Sequence, residues 1–197
     1  TLFASHAHSS ECLVPPPALH DIDANTYYSD SHHSVVDEKL KAENERKVKP
    51  FREFLDYVLK HSQGPAAVCG LQWLKSWSVG NAMLGKMSTS QSYYQRKWML
   101  AGLSIAYSKM QTGTNAKDRA TVEAWFIALA EAVKKHSDEF KGNRNNHYYW
   151  EGLAVLVVGK LTNRKDLIEW GSKVFDFAMN QIQKDGSLPF ELERAQK

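Results

Sequence analysis

Cysteine is nearly absent: two occur in 197 residues, Cys12 and Cys69. There is no CxxC pair and no Cys/His cluster at zinc spacing, so a zinc-finger or dithiol redox reading is excluded, and neither cysteine suggests a catalytic thiol. The two either form one disulfide that pins the N-terminal segment to the body or are free buried thiols. Long apolar runs are missing as well. The most apolar stretch, GLAVLVVGKL at 152–161, falls short of the roughly 18 residues that span a bilayer and is interrupted by Gly159 and Lys160, so it reads as a buried helix. Tracts of one charge are missing too: 25 basic and 22 acidic residues leave a formal charge of +3, scattered without an arm or block. Neither nucleic acid nor membrane is therefore an expected partner. Finally, the chain opens TLFASHAHSSECLVPPP, with no methionine and no basic-then-apolar leader. The expectation is an exported product, periplasmic or secreted, whose signal peptide has been removed.

A hydrophobic content of 43% over this length supports one substantial core, hence a single domain. From Val35 onward the apolar residues recur with a period near 3.6 and almost nowhere alternate, which predicts an all-α chain. A first helix starts after Asp37, a suitable N-cap, and runs through FREFLDYVLKH with an interruption expected at Pro50. AAVCGLQWLKSWSV, TSQSYYQRKWMLAGLSIAYSKM, DRATVEAWFIALAEAVKKHSDEF, NNHYYWEGLAVLVVGKL and RKDLIEWGSKVFDFAMNQIQ supply five more, punctuated by QGP, LGKMSTS, QTGTN, KGNRN, LTNRK and KDGSLP. A succession of helical hairpins buries its stripes as a solenoid or as a closed α/α toroid, and the lack of a solenoid repeat motif favours the toroid. Residues 15–36 differ: PPPALHDIDANTYYSDSHHSVV has no helical period and reads as a surface loop carrying Tyr27, Tyr28, His32 and His33, with the composition of a lid over a groove.

The stretch GNRNNHYYWEG, at 142–152, is the densest in chemistry. Asn145, Asn146 and His147 follow a turn and precede an apolar helix, which places them at its cap and first turn, where backbone N–H groups and the helix dipole favour an anion. A hydrogen on the carbon next to a sugar carboxylate is barely acidic, because its removal adds charge to a group already charged. An enzyme must neutralise the carboxylate and set a base, usually His or Tyr, against the hydrogen. Asn146 and His147 offer those two functions side by side, and Arg194, in SLPFELERAQK, offers a cation. Flat sugar faces stack on aromatic rings. Tyr93, Tyr94 and Trp98 beside Gln91, Arg96 and Lys97 on the third helix, with Tyr148, Tyr149 and Trp150 after the histidine, are the candidate platform, whereas Trp73, Trp77, Trp125 and Trp170 are assigned to the core.

RNNHYYWEGLA followed by DGSLPFELERAQK, with CLVPPPALHDIDANTYYSDSHHSVVD near the start and SQSYYQRKWMLAGLSIAY between, closely resembles the alginate lyases of polysaccharide lyase family 5, four motifs in that family's order. The resemblance implies an α/α toroid in a periplasmic enzyme that cleaves the 1,4-linkages of mannuronate-rich alginate by β-elimination, with no metal or cofactor. It implies that Asn146 neutralises the uronate carboxylate with help from Arg194 and that His147 acts as base or stabilises the abstracted state. By the same resemblance Gln91 and Trp98 line the sugar groove, and Tyr27 and Tyr28 fall in a mobile lid. One departure stands out: the family places a catalytic tyrosine a few residues beyond the arginine matched by Arg194, and this sequence ends at Lys197. The expectation is an incomplete toroid, crippled in turnover by itself, whose partner would be a separate C-terminal fragment of the same protein. Two rival readings remain. A toroidal hydrolase would need a pair of carboxylates, for which Glu151, Glu191 and Glu193 are available, and a sugar-binding module would bind without turnover.

Overall fold

The computed structural model describes residues 12–31, 33–110, 115–142 and 144–192, and among these it contains helices and no strand beyond two isolated bridges, Ile22 with Met87 and Tyr28 with Val36. Seven α-helices follow in chain order: α1 (Glu38–Lys60), α2 (Ala67–Val79), α3 (Ser90–Ser108), α4 (Ala116–Glu139), α5 (Asn146–Thr162), α6 (Lys165–Asn180) and the short α7 (Pro189–Leu192), with one 3-10 turn at Gly64–Ala66 before α2. Their starts are set by side chains that satisfy the first orphan N–H groups. Asp37 accepts from the N–H of Lys39 and Leu40, Thr89 and Ser92 form a reciprocal capping box on α3, and Asn115 and Asn145 cap α4 and α5.

Packing follows the apolar stripes. Val48, Phe51, Phe54 and Val58 lie on one side of α1, and Phe54 stacks on Trp77 of α2 with centroids 3.6 Å apart, while Tyr57 stacks on Trp73 at 3.6 Å. Odd-numbered helices then pack on one another, α1 on α3 and α3 on α5; α2 packs on α4, and the hairpin partners cross between the rows. That two-row order is the organisation of an α/α toroid. Three glycines bring α5 and α6 close. A Cβ at Gly171 would lie 2.6 Å from Cβ of Leu156, one at Gly159 would lie 2.8 Å from the Ile168 nitrogen, and one at Gly152 would lie 2.6 Å from Cβ of Val174.

Two expectations are corrected. Helix α1 continues through Pro50 without a break, because Pro50 and Arg46, whose carbonyl loses its donor, both lie on the solvent side where water serves as partner. Trp73, Trp77 and Trp125 are buried as expected, but Trp170 is only partly so, its indole N–H donating to Asp138 Oδ1 at 2.9 Å on the surface.

The segment at 15–36 divides in two. Its first half is a strap across α2 and the α2–α3 connection. The Trp73 and Trp77 indoles donate to the carbonyls of Leu13 (2.9 Å) and Pro16 (3.2 Å), Met83 N–H donates to Leu19 O (2.8 Å), and Ile22 N–H to Lys86 O (2.9 Å). Ile22 is 1% exposed and belongs to the core. A disulfide between Cys12 and Cys69, 57 residues apart in sequence, anchors the strap to α2. The second half turns outward. There Asp30 accepts from Ser34 N–H (2.9 Å) and Val35 N–H (2.7 Å), and Tyr27 and Tyr28 pack on each other at 4.5 Å. His32 lies outside the described residues.

Candidate active site

Gln91, Tyr94 and Trp98 fall at i, i+3 and i+7 of α3 and so share one face of it, and the start of α5 is packed against that face. The imidazole of His147 stacks on the Tyr94 ring, centroids 3.8 Å apart and planes 10° from parallel, and its centroid is 6.1 Å from that of Trp98. Trp98 keeps 37% of its surface exposed, as expected of a side chain that presents a flat face outward. The sequence thus places an imidazole, a phenol and an exposed indole together, drawn from positions far apart along the chain.

Asn145 is the cap of α5 and Asn146 its first residue; Asn145 accepts from the His147 N–H at 3.1 Å. The Asn146 N–H donates to the Glu191 carboxylate, so the backbone donors expected to meet a ligand anion are in part already met by an acid of α7. The Oδ1 of Asn146 is buried and has no hydrogen-bond partner among the described residues. A buried acceptor without a partner costs roughly 1–3 kcal/mol, a cost this amide shares with other buried polar atoms, among them Asn25 Oδ1.

Beneath the stack lies a cavity of about 130 Å³ lined by Tyr94, His136, Arg144, His147, Tyr148 and Glu151 among others. Glu151, in its lining, forms an ion pair, Lys97 Nζ to Glu151 Oε1 at 2.7 Å, with Lys97 1% exposed. Burial pushes the Lys97 ammonium down in pKa, opposed by the Glu151 carboxylate. His136 stacks on Tyr93 at 3.7 Å, and burial pushes its pKa down as well, with Glu151 pulling it back up and Arg96 and Lys97 adding to the depression. Arg144 sits 4.4 Å over the Tyr148 ring and donates to the Ser137 carbonyl at 2.8 Å. His136, Arg144 and the Lys97–Glu151 pair were not singled out by sequence reasoning; Glu151, one turn after His147 on an apolar helix, was the available hint.

The remaining candidates are placed as follows. Tyr149 turns toward the end of α6, where burial raises its phenol pKa and Gln181 lowers it. Trp150 is 43% exposed. Tyr27 and Tyr28 stand at the outward end of the strap, where Tyr28 also meets His33 at 5.4 Å. Arg194 and Glu193 lie outside the described residues. A hydrolase needs two carboxylates open to the bond. Glu151 is buried against Lys97 and Glu191 is engaged at the α5 start, so neither presents that arrangement. No cluster of three or more metal-ligating side chains occurs, and no helix is long and apolar enough to cross a membrane, among the described residues.

Comparison with known proteins gives a consistent result. The family model for alginate lyase matches residues 21–197. A polysaccharide lyase of Stenotrophomonas maltophilia is 38% identical over 207 residues, covering all of this chain and 62% of that protein. An alginate lyase of Pseudomonas fluorescens is 32% identical over 136 residues, 66% of this chain and 37% of the relative. Among solved structures, alginate lyase A1-III, known from Sphingomonas species A1, in a tyrosine-to-phenylalanine variant complexed with tetrasaccharide, superposes with a TM-score of 0.78 at 26% identity, over 94% of this chain and 54% of that one. The chain therefore spans between about one third and two thirds of the length of these relatives.

Proposed function

Because the chain belongs to the alginate lyase family, we propose that it carries the amide and imidazole of a site that cleaves 1,4-linked mannuronate in alginate by β-elimination. The observation that supports this best is the His147–Tyr94 stack beside exposed Trp98, directly after Asn146 at the start of α5. In this reading the Asn146 amide, with Arg194, draws charge from the uronate carboxylate, which makes the C5 hydrogen removable. His147 acts at that hydrogen. The C5–H electron pair becomes the C4–C5 double bond, the C4–O bond breaks, and the oxygen leaves with a proton. The family resemblance assigns delivery of that proton to a tyrosine beyond Arg194. Gln91, Tyr94 and Trp98 form the sugar platform, Trp150 extends it, and Tyr27 and Tyr28 close over bound sugar. A histidine-to-alanine variant of alginate lyase A1-III is also known complexed with tetrasaccharide, which supports an oligosaccharide ligand for this fold. The disulfide supports a periplasmic or secreted location, where thiols are oxidised.

The test is spectroscopic. Elimination conjugates a new double bond with the carboxylate and raises ultraviolet absorbance, and hydrolysis does not. Mannuronate-rich alginate treated with a version that carries the tyrosine beyond Arg194 should gain that absorbance, the 197-residue chain by itself should give little, and His147→Ala in the longer version should abolish the gain while binding of mannuronate oligomers falls only modestly. Binding by the longer version without any rise in absorbance would favour the sugar-binding module, and normal turnover by His147→Ala would remove the histidine from the chemistry.

A further inference from the structure

Glu151, which lines the cavity beside His147, is one half of a buried charge pair that the lyase reading does not use. We propose that Lys97 and Glu151 are positioning residues: their ion pair locks Tyr94, and through it the His147 imidazole, into the flat arrangement from which His147 reaches substrate. This inference rests on the assignment of His147 to the site.

The geometry carries it in three steps. Lys97 follows Tyr94 by one turn of α3, and Glu151 follows His147 by one turn of α5, so the ion pair and the aromatic stack are two rungs between the same two helices, one turn apart. The rungs are also joined, because the Lys97 ammonium that meets Glu151 at 2.7 Å lies 4.5 Å from the centre of the Tyr94 ring. A cation held there draws the ring face toward itself and restricts its tilt.

Stability does not account for the pair. Desolvating two ions costs several kcal/mol each, and apolar side chains of similar volume at such a position are often as stable or more so. A neighbouring arrangement makes the contrast sharper. One residue earlier on α3, Tyr93 stacks on His136 at 3.7 Å and 10°, with the Arg96 guanidinium 5.3 Å over the ring. There the cation donates to the backbone carbonyl of Ala132 at 3.3 Å, with no carboxylate in that role. A tyrosine–histidine stack under a cation thus forms in this fold without a carboxylate bonded to that cation. Glu151 lines the cavity that His136 and His147 share, and of the two cations it is Lys97, over Tyr94, that it meets. The other charged and titratable groups facing the same cavity are His136 from α4, Arg144 from the α4–α5 connection and Tyr148 from α5.

The test is the double variant Lys97→Met/Glu151→Leu in the 197-residue chain, with Glu151→Gln as a second variant that preserves shape and a hydrogen-bond partner for Lys97. Three readouts are compared with the unaltered chain: thermal unfolding, the ring-current-shifted His147 resonances in 1H–13C spectra, and the rate of unsaturated-end formation on mannuronate-rich alginate. The expected result is a melting temperature close to that of the unaltered chain and His147 resonances moved toward the position of an unstacked histidine. kcat should fall about tenfold to a hundredfold, as small misplacements of reacting groups produce, with KM little changed. His147 resonances unchanged in both variants would overturn the proposal whatever the alginate assay gives. Should the double variant unfold, the Glu151→Gln resonances decide alone. The rate is read in a version that carries the tyrosine beyond Arg194; failure of that version to eliminate bears on the lyase reading, while the His147 resonances still decide the role of the pair.

Discussion

His147 lies flat on Tyr94 at 3.8 Å, an imidazole held against a ring from another helix. The stack fixes the plane of the imidazole while leaving it partly exposed. Tyr94→Phe keeps the ring and should retain elimination within a few fold, whereas Tyr94→Leu should lower kcat about tenfold or more, because the plane of His147 is lost, and should raise KM as well, because a ring of the sugar platform goes with it. Steady-state kinetics on mannuronate-rich alginate checks both.

Asn146 is expected to matter through its amide alone. Asn146→Leu keeps the volume, removes donor and acceptor, and should raise the barrier by roughly 3 kcal/mol, about a hundredfold in kcat, with thermal stability maintained or improved because an unpartnered buried oxygen is gone. A large loss of stability with turnover intact would mean that the amide serves the fold.

Gly171 is the tightest test of the α5–α6 contact. The added methyl of Gly171→Ala would meet Cβ of Leu156 at 2.6 Å and the Gly152 carbonyl oxygen at 2.9 Å, both on rigid helix backbone. Overpacking of this kind costs about 1–3 kcal/mol, which denaturant unfolding would register as a lower midpoint.

Removing the strap's anchor should be costly. Closing a loop of 57 residues removes chain entropy worth about 4 kcal/mol in the polymer estimate. Cys69→Ser, or reduction under native conditions, should therefore lower stability by about 2–4 kcal/mol and raise hydrogen exchange at residues 13–22 first.

The outward loop has its own pH response. Backbone N–H donors, Val35 first, hold the Asp30 carboxyl at about 2, below its ordinary 3.8. A depressed carboxyl stabilises the folded loop above its unfolded pKa, and that contribution is lost as pH falls through the folded value. Protection of the Ser34 and Val35 amides, taken against their intrinsic exchange rate at each pH, should thus hold down to about pH 4 and fall between there and pH 2. Protection that is flat across this window would show that the carboxylate does not organise the loop.

The helices were legible because each announces itself locally: Asp37, Thr89 and Asn145 supply caps, and the spacing of Val48, Phe51, Phe54 and Val58 fixes a face. Pro50 misled because propensity cannot tell which side of a helix faces water. Asn146 and His147 could be found through their local context after a turn. Their setting could not. The Lys97–Glu151 bond joins residues 54 apart, and the pairing depends on how α3 meets α5, which no periodicity records. The strap was hidden for a similar reason: Ile22 enters the core as a single residue from an aperiodic segment, held by backbone bonds that any sequence can make.

The uneven setting of the tryptophans gives the molecule an optical reporter of its own. Trp73, Trp77 and Trp125 are sealed in the core and emit from a constant environment, while Trp98 and Trp150 face solvent at 37% and 43% exposure. A sugar laid on Trp98 and Trp150 would dry only the red-emitting part of the spectrum, so oligosaccharide affinity can be followed by intrinsic fluorescence without label or turnover, and Trp98→Phe should diminish the signal and leave the share of Trp150.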